Sequence, residues 1–139
     1  MGFNTNGVLT TDMTKQLCHF IKTLQYDDIP PAVIERAKMM TMQTIGVSLC
    51  SAELKQIKDA IEIAKEMSAG DKPGVATLWA DGTKVSWEAA AYLAGTMGDC
   101  LDWEDCSVTG HPSAGIITTA VVATEVLKKS GIEDRKSVV

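Results

Sequence analysis

The sequence is poor in histidine, aromatic residues and basic residues, and these shortages exclude several classes of function. It has 13 Lys and Arg against 18 Asp and Glu, a net charge of −5, so it lacks the basic surface that a nucleic-acid backbone requires. Cys18, Cys50, Cys100 and Cys106 show no Cys-x-x-Cys spacing, and only two histidines accompany them, which argues against zinc. No apolar run reaches the roughly 18 residues of a membrane-spanning helix. We therefore expect no metal, no nucleic acid and no membrane partner.

The length and overall composition are those of one globular domain. The chain has 139 residues, of which 45% are hydrophobic and 22% charged, which is ordinary for a folded protein. The first residues are polar and lack the apolar core of a signal peptide, and the scattered cysteines suit a reducing compartment. We expect a cytoplasmic protein with a flexible leader at residues 1–10, a helical domain at 11–131 and a polar tail at 132–139.

Hydrophobic periodicity predicts an all-α fold of about five helices with one short β-hairpin. An Asp-Gly pair at positions 81 and 82 separates two short apolar runs, which is typical of a hairpin turn. The predicted helices lie at about 11–24, 31–50, 54–68, 87–101 and 112–128, and the predicted strands at 75–79 and 84–85.

The last two predicted helices carry apolar residues on almost every side. A helix of this kind belongs in the interior of a larger body. The three amphipathic helices before them offer little surface to cover both. We therefore expect a dimer, or a partner segment that this chain does not contain.

The chemistry-bearing residues concentrate between these two helices. Asp99, Asp102, Glu104 and Asp105 fall within seven positions, and His111 follows nine residues after Asp102. Ionisable groups between buried helices must be paired, hydrated or used. An imidazole beside carboxylates suits acid/base chemistry. The alternative is that His111 only forms a hydrogen bond near a helix start while the acids are solvated.

Several ordered blocks of the chain resemble proteins of the MmgE/PrpD family. The distinctive ones are Leu-Asp-Trp-Glu-Asp at 101–105 and His-Pro-Ser at 111–113. Further matching blocks lie at residues 24–38, 44–47, 79–86 and 89–96. The resemblance runs from about residue 11 to residue 131, nearly the whole chain.

The resemblance implies the N-terminal part of a cofactor-independent lyase or isomerase. Family members include 2-methylcitrate dehydratase, cis-aconitate decarboxylase and iminodisuccinate epimerase, which act on di- or tricarboxylates without metal or organic cofactor. They are commonly homodimers with a large helical domain and a smaller α/β lid, and they are much longer than this chain. The resemblance therefore implies a small di- or tricarboxylate as ligand. It also implies a protein partner, which is either a second copy of this chain or a complementary C-terminal chain.

Site residues follow by position from the same resemblance. Asp102 matches the first aspartate of the family signature and His111 the histidine of the next block, which implies that both are catalytic. Asp105 matches the last aspartate of the signature. Cys106 takes the place of a common threonine, and Ser107 stands next to it. We therefore expect Asp105, Cys106 and Ser107 to contact the substrate. The alternatives are that Asp105 is a loop or helix N-cap residue and that Cys106 only packs.

The chain also departs from the family pattern. Trp103 and Glu104 stand where Phe and Asp are usual, and Asp99 occupies a position where histidine is common. These departures, with the short length, leave two alternatives to an active enzyme. One is a truncated, inactive remnant, and the other is a non-catalytic helical dimerisation module.

Overall fold

The computed structural model describes residues 12–70, 73–106 and 110–130, and within them the chain is all-α with one small hairpin. This confirms the predicted fold class. The expected leader at 1–10 and tail at 132–139 lie outside the described residues. The elements are α1 (Met13–Thr23), α2 (Pro31–Ser51), α3 (Lys55–Met67), β1 (Ala76–Thr77), β2 (Lys84–Val85), α4 (Trp87–Asp99) and α5 (Pro112–Leu127), with a 3-10 turn at Tyr26–Asp28 between α1 and α2.

Local sequence signals account for most helix ends. Proline is the first residue of both α2 and α5, where its missing N–H costs no hydrogen bond. The Ser86 hydroxyl accepts a hydrogen bond from the Ala89 N–H at 3.2 Å and caps α4. The end of α5 differs from the usual pattern, because the left-handed residue that closes the helix is Lys128, with φ 53°, rather than a glycine.

Helix α4 forms the centre of the core. It packs against α2, α3 and α5, and small residues on its surface allow these close approaches. Its buried apolar residues are Ala89, Ala90, Leu93, Ala94 and Met97. The hairpin closes one side through Ala76, Leu78 and Val85, which are at most 2% exposed. One side of α4 nevertheless stays uncovered by the described residues, since Trp87 and Tyr92 are 52% and 47% exposed.

A buried hydroxyl links α2 to α4. Ser51 is fully buried, and its Oγ lies 2.8 Å from the carbonyl oxygen of Ser48 and 3.0 Å from that of Met97. The serine donates across the helix interface to a carbonyl at the end of α4. This contact fixes the end of α4 from which the loop to α5 departs.

Helix α1 is the exception to this packing. None of its eleven residues is buried, and Leu17, Phe20 and Ile21 are 58%, 53% and 64% exposed. The sequence correctly predicted an apolar face on this helix, but the described part of the chain does not cover it. Of the helices in the described ranges, none has the length and apolar character needed to cross a membrane.

The hairpin is fastened to α5 through Glu125. Its carboxylate accepts hydrogen bonds from the Thr77 N–H at 3.0 Å and from the Thr77 hydroxyl and Lys84 Nζ at 2.5 Å each. Burial alone would raise the pKa of Glu125, but the hydrogen bonds from Lys84 and Thr77 outweigh it, and the pKa lies below its ordinary value of 4.5. The ionised form is therefore the one that the fold stabilises.

This contact makes a pH-dependent contribution to stability. A lowered pKa in the folded state gives stability that is present above about pH 4.5 and is lost as the pH falls through the folded pKa. We expect Glu125→Gln to lower the free energy of unfolding by about 1–3 kcal/mol near neutral pH, since charge-assisted hydrogen bonds are lost. Urea denaturation across the acid range measures this, and the difference from the parent chain should shrink as Glu125 becomes protonated. The exposed Glu62→Gln serves as control, and an equal loss there would contradict the assignment.

Candidate active site

The acidic cluster lies on the loop that joins α4 to α5, as the sequence predicted. The two helices pack along each other, so both ends of the loop are fixed. Within the loop, the Asp102 N–H donates to the carbonyl oxygen of Asp99 at 3.3 Å. The Gln43 side chain of α2 donates to the carbonyl oxygen of Trp103 at 2.9 Å. These bonds hold the loop against the end of the bundle.

Asp102 adopts a left-handed backbone conformation, with φ 54°. This region is unfavourable for most residues other than glycine, although Asp and Asn tolerate it better than others. Backbone strain of this kind is concentrated at functional sites, where the surrounding structure enforces it. The conformation turns the chain so that the Asp102 side chain, 82% exposed, lies beside His111.

His111 lies between two carboxylates at the start of α5. Its Nε2 is 3.4 Å from Oδ1 of Asp102, and its Nδ1 is 3.0 Å from Oε1 of Glu104. The imidazole is 34% exposed, whereas the Glu104 side chain is fully buried. One side of the histidine therefore faces the interior and the other faces solvent.

The sequence marked Glu104 as one of the loop acids but gave it no role in the site. Its two carboxylate oxygens and the Nδ1 of His111 are buried, and none of them forms a hydrogen bond within the described residues. The 3.0 Å contact between Oε1 and Nδ1 is thus a close polar contact without hydrogen-bond alignment. The available signal was positional, because Glu104 stands at an acidic position of the family signature.

Asp105 has a partner within the fold. Its Oδ1 accepts a hydrogen bond from the Ser113 N–H at 3.1 Å, in the first turn of α5. A carboxylate at this end of a helix also interacts favourably with the helix dipole. The structure therefore gives Asp105 a role in holding the helix start, and its contact with substrate stays a prediction.

Two further site residues were predicted, Cys106 and Ser107. Cys106 is exposed, and Ser107 lies outside the described residues. Asp99 is also exposed, at the last turn of α4. The structure thus brings together Asp102, Glu104 and His111, with Asp105 behind them at the helix start.

The stretch of chain that carries the cluster has no positive charge, and the hollow described beside it is small. The sequence contains no Lys or Arg from residue 85 to residue 127, a stretch that includes α4, the loop and α5. A hollow of about 120 Å³ lies at the start of α5, lined by Met40, Pro112, Ser113, Ile116 and Ile117. Small-molecule sites commonly occupy roughly 300–1,000 Å³. The described residues therefore place the acidic side chains beside a hollow that is smaller than most small-molecule sites.

Comparison with known proteins gives a consistent result. Cis-aconitate decarboxylase of Aspergillus terreus is 28% identical over 121 residues, which are 86% of this chain and 24% of that protein. Cis-aconitate decarboxylase-like protein oryM of Aspergillus oryzae is 26% identical over 136 residues, which are 97% of this chain and 27% of that protein. The chain therefore spans about a quarter of the length of these relatives. No solved structure gave a significant match.

The family comparison covers nearly the whole chain. The model of the MmgE/PrpD N-terminal domain matches residues 15–136, which include all the described elements from α2 to α5 and most of α1. The range also includes the loop that carries Asp102, Glu104 and His111. The chain belongs to the MmgE/PrpD family and carries its N-terminal domain.

Proposed function

We propose that this chain supplies the acid/base side of the active site in a lyase or isomerase that acts on a di- or tricarboxylate. The reaction would resemble that of 2-methylcitrate dehydratase or cis-aconitate decarboxylase. The observation that carries the proposal is the placement of His111, with a carboxylate within 3.4 Å of each ring nitrogen. The relatives named as cis-aconitate decarboxylases support the substrate class.

The two carboxylates would have different tasks. A carboxylate beside one nitrogen of an imidazole fixes its orientation and tautomer, which leaves the other nitrogen to take or give a proton. Glu104 is fully buried with Oε1 3.0 Å from Nδ1, and it would take the orienting task when the two side chains align to form a hydrogen bond. Asp102 is exposed on the side that a substrate would approach. In this proposal His111 moves the proton next to a substrate carboxylate, and Asp102 assists as a base or as a hydrogen-bond acceptor.

The site needs a second component to bind its substrate. A polyanion would be repelled by the acids of the loop, and residues 85–127, which include α4, the loop and α5, contain no Lys or Arg. The proposal therefore includes cationic side chains from a complementary C-terminal chain or from the second copy of a homodimer. It also includes cofactor-independent proton transfer and a cytoplasmic location, which the four cysteine thiols suit.

The test is a turnover assay of the completed assembly, in which this chain is joined to the C-terminal part that its longer relatives contain. A panel of di- and tricarboxylates followed by NMR shows which one reacts. We expect Asp102→Asn to lower kcat by about 100-fold, because the amide keeps the left-handed backbone but removes the base. Asp99→Asn makes the same change in charge at an exposed position nearby and should have little effect. Equal activity of the two variants would refute the role of Asp102.

A non-catalytic dimerisation module, or a truncated inactive remnant, is the second candidate. The exposed apolar face of α1, with Leu17, Phe20 and Ile21 each more than half exposed, favours it. Such a surface suits a partner protein as well as a missing part of an enzyme. An assembly that turns over none of the carboxylates would favour this alternative.

A further inference from the structure

The buried carboxylate of Glu104 lacks the hydrogen bonds that such a group normally has. Its side chain is fully buried, and neither oxygen has a hydrogen-bond donor among the described residues. The Nδ1 of His111 beside it is also buried without a hydrogen bond. Buried charges in proteins are usually paired, hydrogen-bonded or bound to a metal ion. These three buried atoms, of which Oε1 and Nδ1 lie 3.0 Å apart, therefore lack a partner that a cation could supply.

The spacing of the side chains suits a divalent metal ion. One ligand atom from each of Asp102, Glu104 and His111 can be chosen so that all three lie within 4.8 Å of one another. A histidine binds a single ion through only one of its two nitrogens, and here Nδ1 is the nitrogen beside the buried carboxylate. Its distance of 3.0 Å from Oε1 of Glu104 is close to the spacing of about 3.3 Å between neighbouring tetrahedral ligands at bond lengths of about 2.0–2.1 Å.

The ligand types narrow the choice of ion. Two carboxylates and one imidazole provide oxygen and nitrogen atoms, which suit Mn²⁺, Fe²⁺ or Zn²⁺ better than a soft ion that prefers thiolates. The spacing rule that argued against zinc in the sequence concerned cysteine and histidine pairs, and it does not apply to such a site. Three protein ligands also leave at least one coordination position open.

We propose that Asp102, Glu104 and His111 form a binding site for one divalent transition-metal ion. The ion would supply the positive charge that the buried Glu104 carboxylate lacks. The site does not depend on the proposed enzymatic function, because it requires only these three side chains. An imidazole bound to a metal ion through one nitrogen cannot be protonated to the imidazolium, and Asp102 would be engaged as a ligand. A bound ion and proton transfer by His111 therefore exclude each other. Metal binding would therefore inhibit the completed enzyme.

Titration of the 139-residue chain with Mn²⁺ tests the proposal without any substrate. The electron paramagnetic resonance signal of aqueous Mn²⁺ decreases when the ion binds, and thiols compete poorly for this hard ion. We expect one saturable site per chain. Glu104→Gln should weaken binding by at least about tenfold, since a charged ligand is lost while the side-chain volume is kept.

Two further variants complete the test. Asp102→Asn changes an exposed ligand, so its loss of binding does not depend on changes in the core, and circular dichroism verifies the fold of every variant. Asp99→Asn is the control for diffuse attraction to the acidic loop and should change affinity by less than about twofold. The proposal is overturned if the parent chain shows no saturable binding, if Glu104→Gln binds as well as the parent, or if Asp99→Asn weakens binding as much as Glu104→Gln. Because the readout is binding, a negative result leaves the turnover experiment unaffected.

Discussion

Replacing His111 with alanine is expected to lower kcat of the completed assembly by about 10²–10⁴-fold, the usual contribution of a positioned general acid or base. The change in KM should be smaller, because in the proposed function cationic groups elsewhere in the assembly would hold the substrate carboxylates. The structural reason is that His111 is the group that contacts both Asp102 and Glu104, at 3.4 Å and 3.0 Å. Removing it leaves two carboxylates without a proton carrier between them.

The second histidine of the chain provides the matched control. His19 lies on α1, is exposed, and belongs to a different part of the fold from the loop. His19→Ala should leave kcat close to that of the parent assembly. If His111→Ala retained full activity on the identified substrate, the acid/base proposal would be wrong even if the assembly were an active lyase.

Gly74→Ala is expected to destabilise the chain by about 3 kcal/mol, at the upper end of the cost of overpacking. A Cβ at position 74 would collide with the backbone of Lys84 and the amide nitrogen of Val85, and backbone atoms have little freedom to move. The collision lies beside the hydrogen bond of 2.9 Å from the Val75 N–H to the Val85 carbonyl oxygen. Separating the strands there would also expose Ala76, which is fully buried. Urea denaturation measures the loss.

Gly46→Ala should raise the free energy of unfolding, in contrast to Gly74→Ala. Gly46 lies within α2, and a Cβ there would meet nothing within 4 Å. Alanine in a helix interior is more favourable than glycine by up to about 1 kcal/mol. A similar destabilisation by both substitutions would show that the close approach at Gly74 does not determine the effect.

The sequence predicted the helices and the hairpin because those elements depend on local patterns. Apolar periodicity located the helical segments, the prolines marked the starts of α2 and α5, and the Asp-Gly pair marked the turn between β1 and β2. The predicted ends were less accurate. Helix α4 stops at Asp99 rather than near residue 101, since the following residues form the irregular loop.

The site was predicted less completely, because burial on a loop has no periodic signal. Trp103 is 64% exposed and the neighbouring Glu104 is buried, the reverse of what their side chains suggest. The placement depends on how α4 and α5 meet and on the Gln43 contact, which joins residues 60 positions apart. Sequence could identify Asp102 and His111 through the family signature, but only the fold shows that Glu104 lies against the histidine.

The uncovered face of α1 has a consequence for how the stability of this chain is distributed. A helix of eleven residues is marginal in water by itself, because its hydrogen bonds barely offset the loss of backbone entropy. With no buried residue, α1 receives little from the core that stabilises α4 and α5. The ordering of α1 would then be coupled to the docking of whatever surface covers Leu17, Phe20 and Ile21. The free energy that orders α1 would then come from that association and not from interactions within this chain.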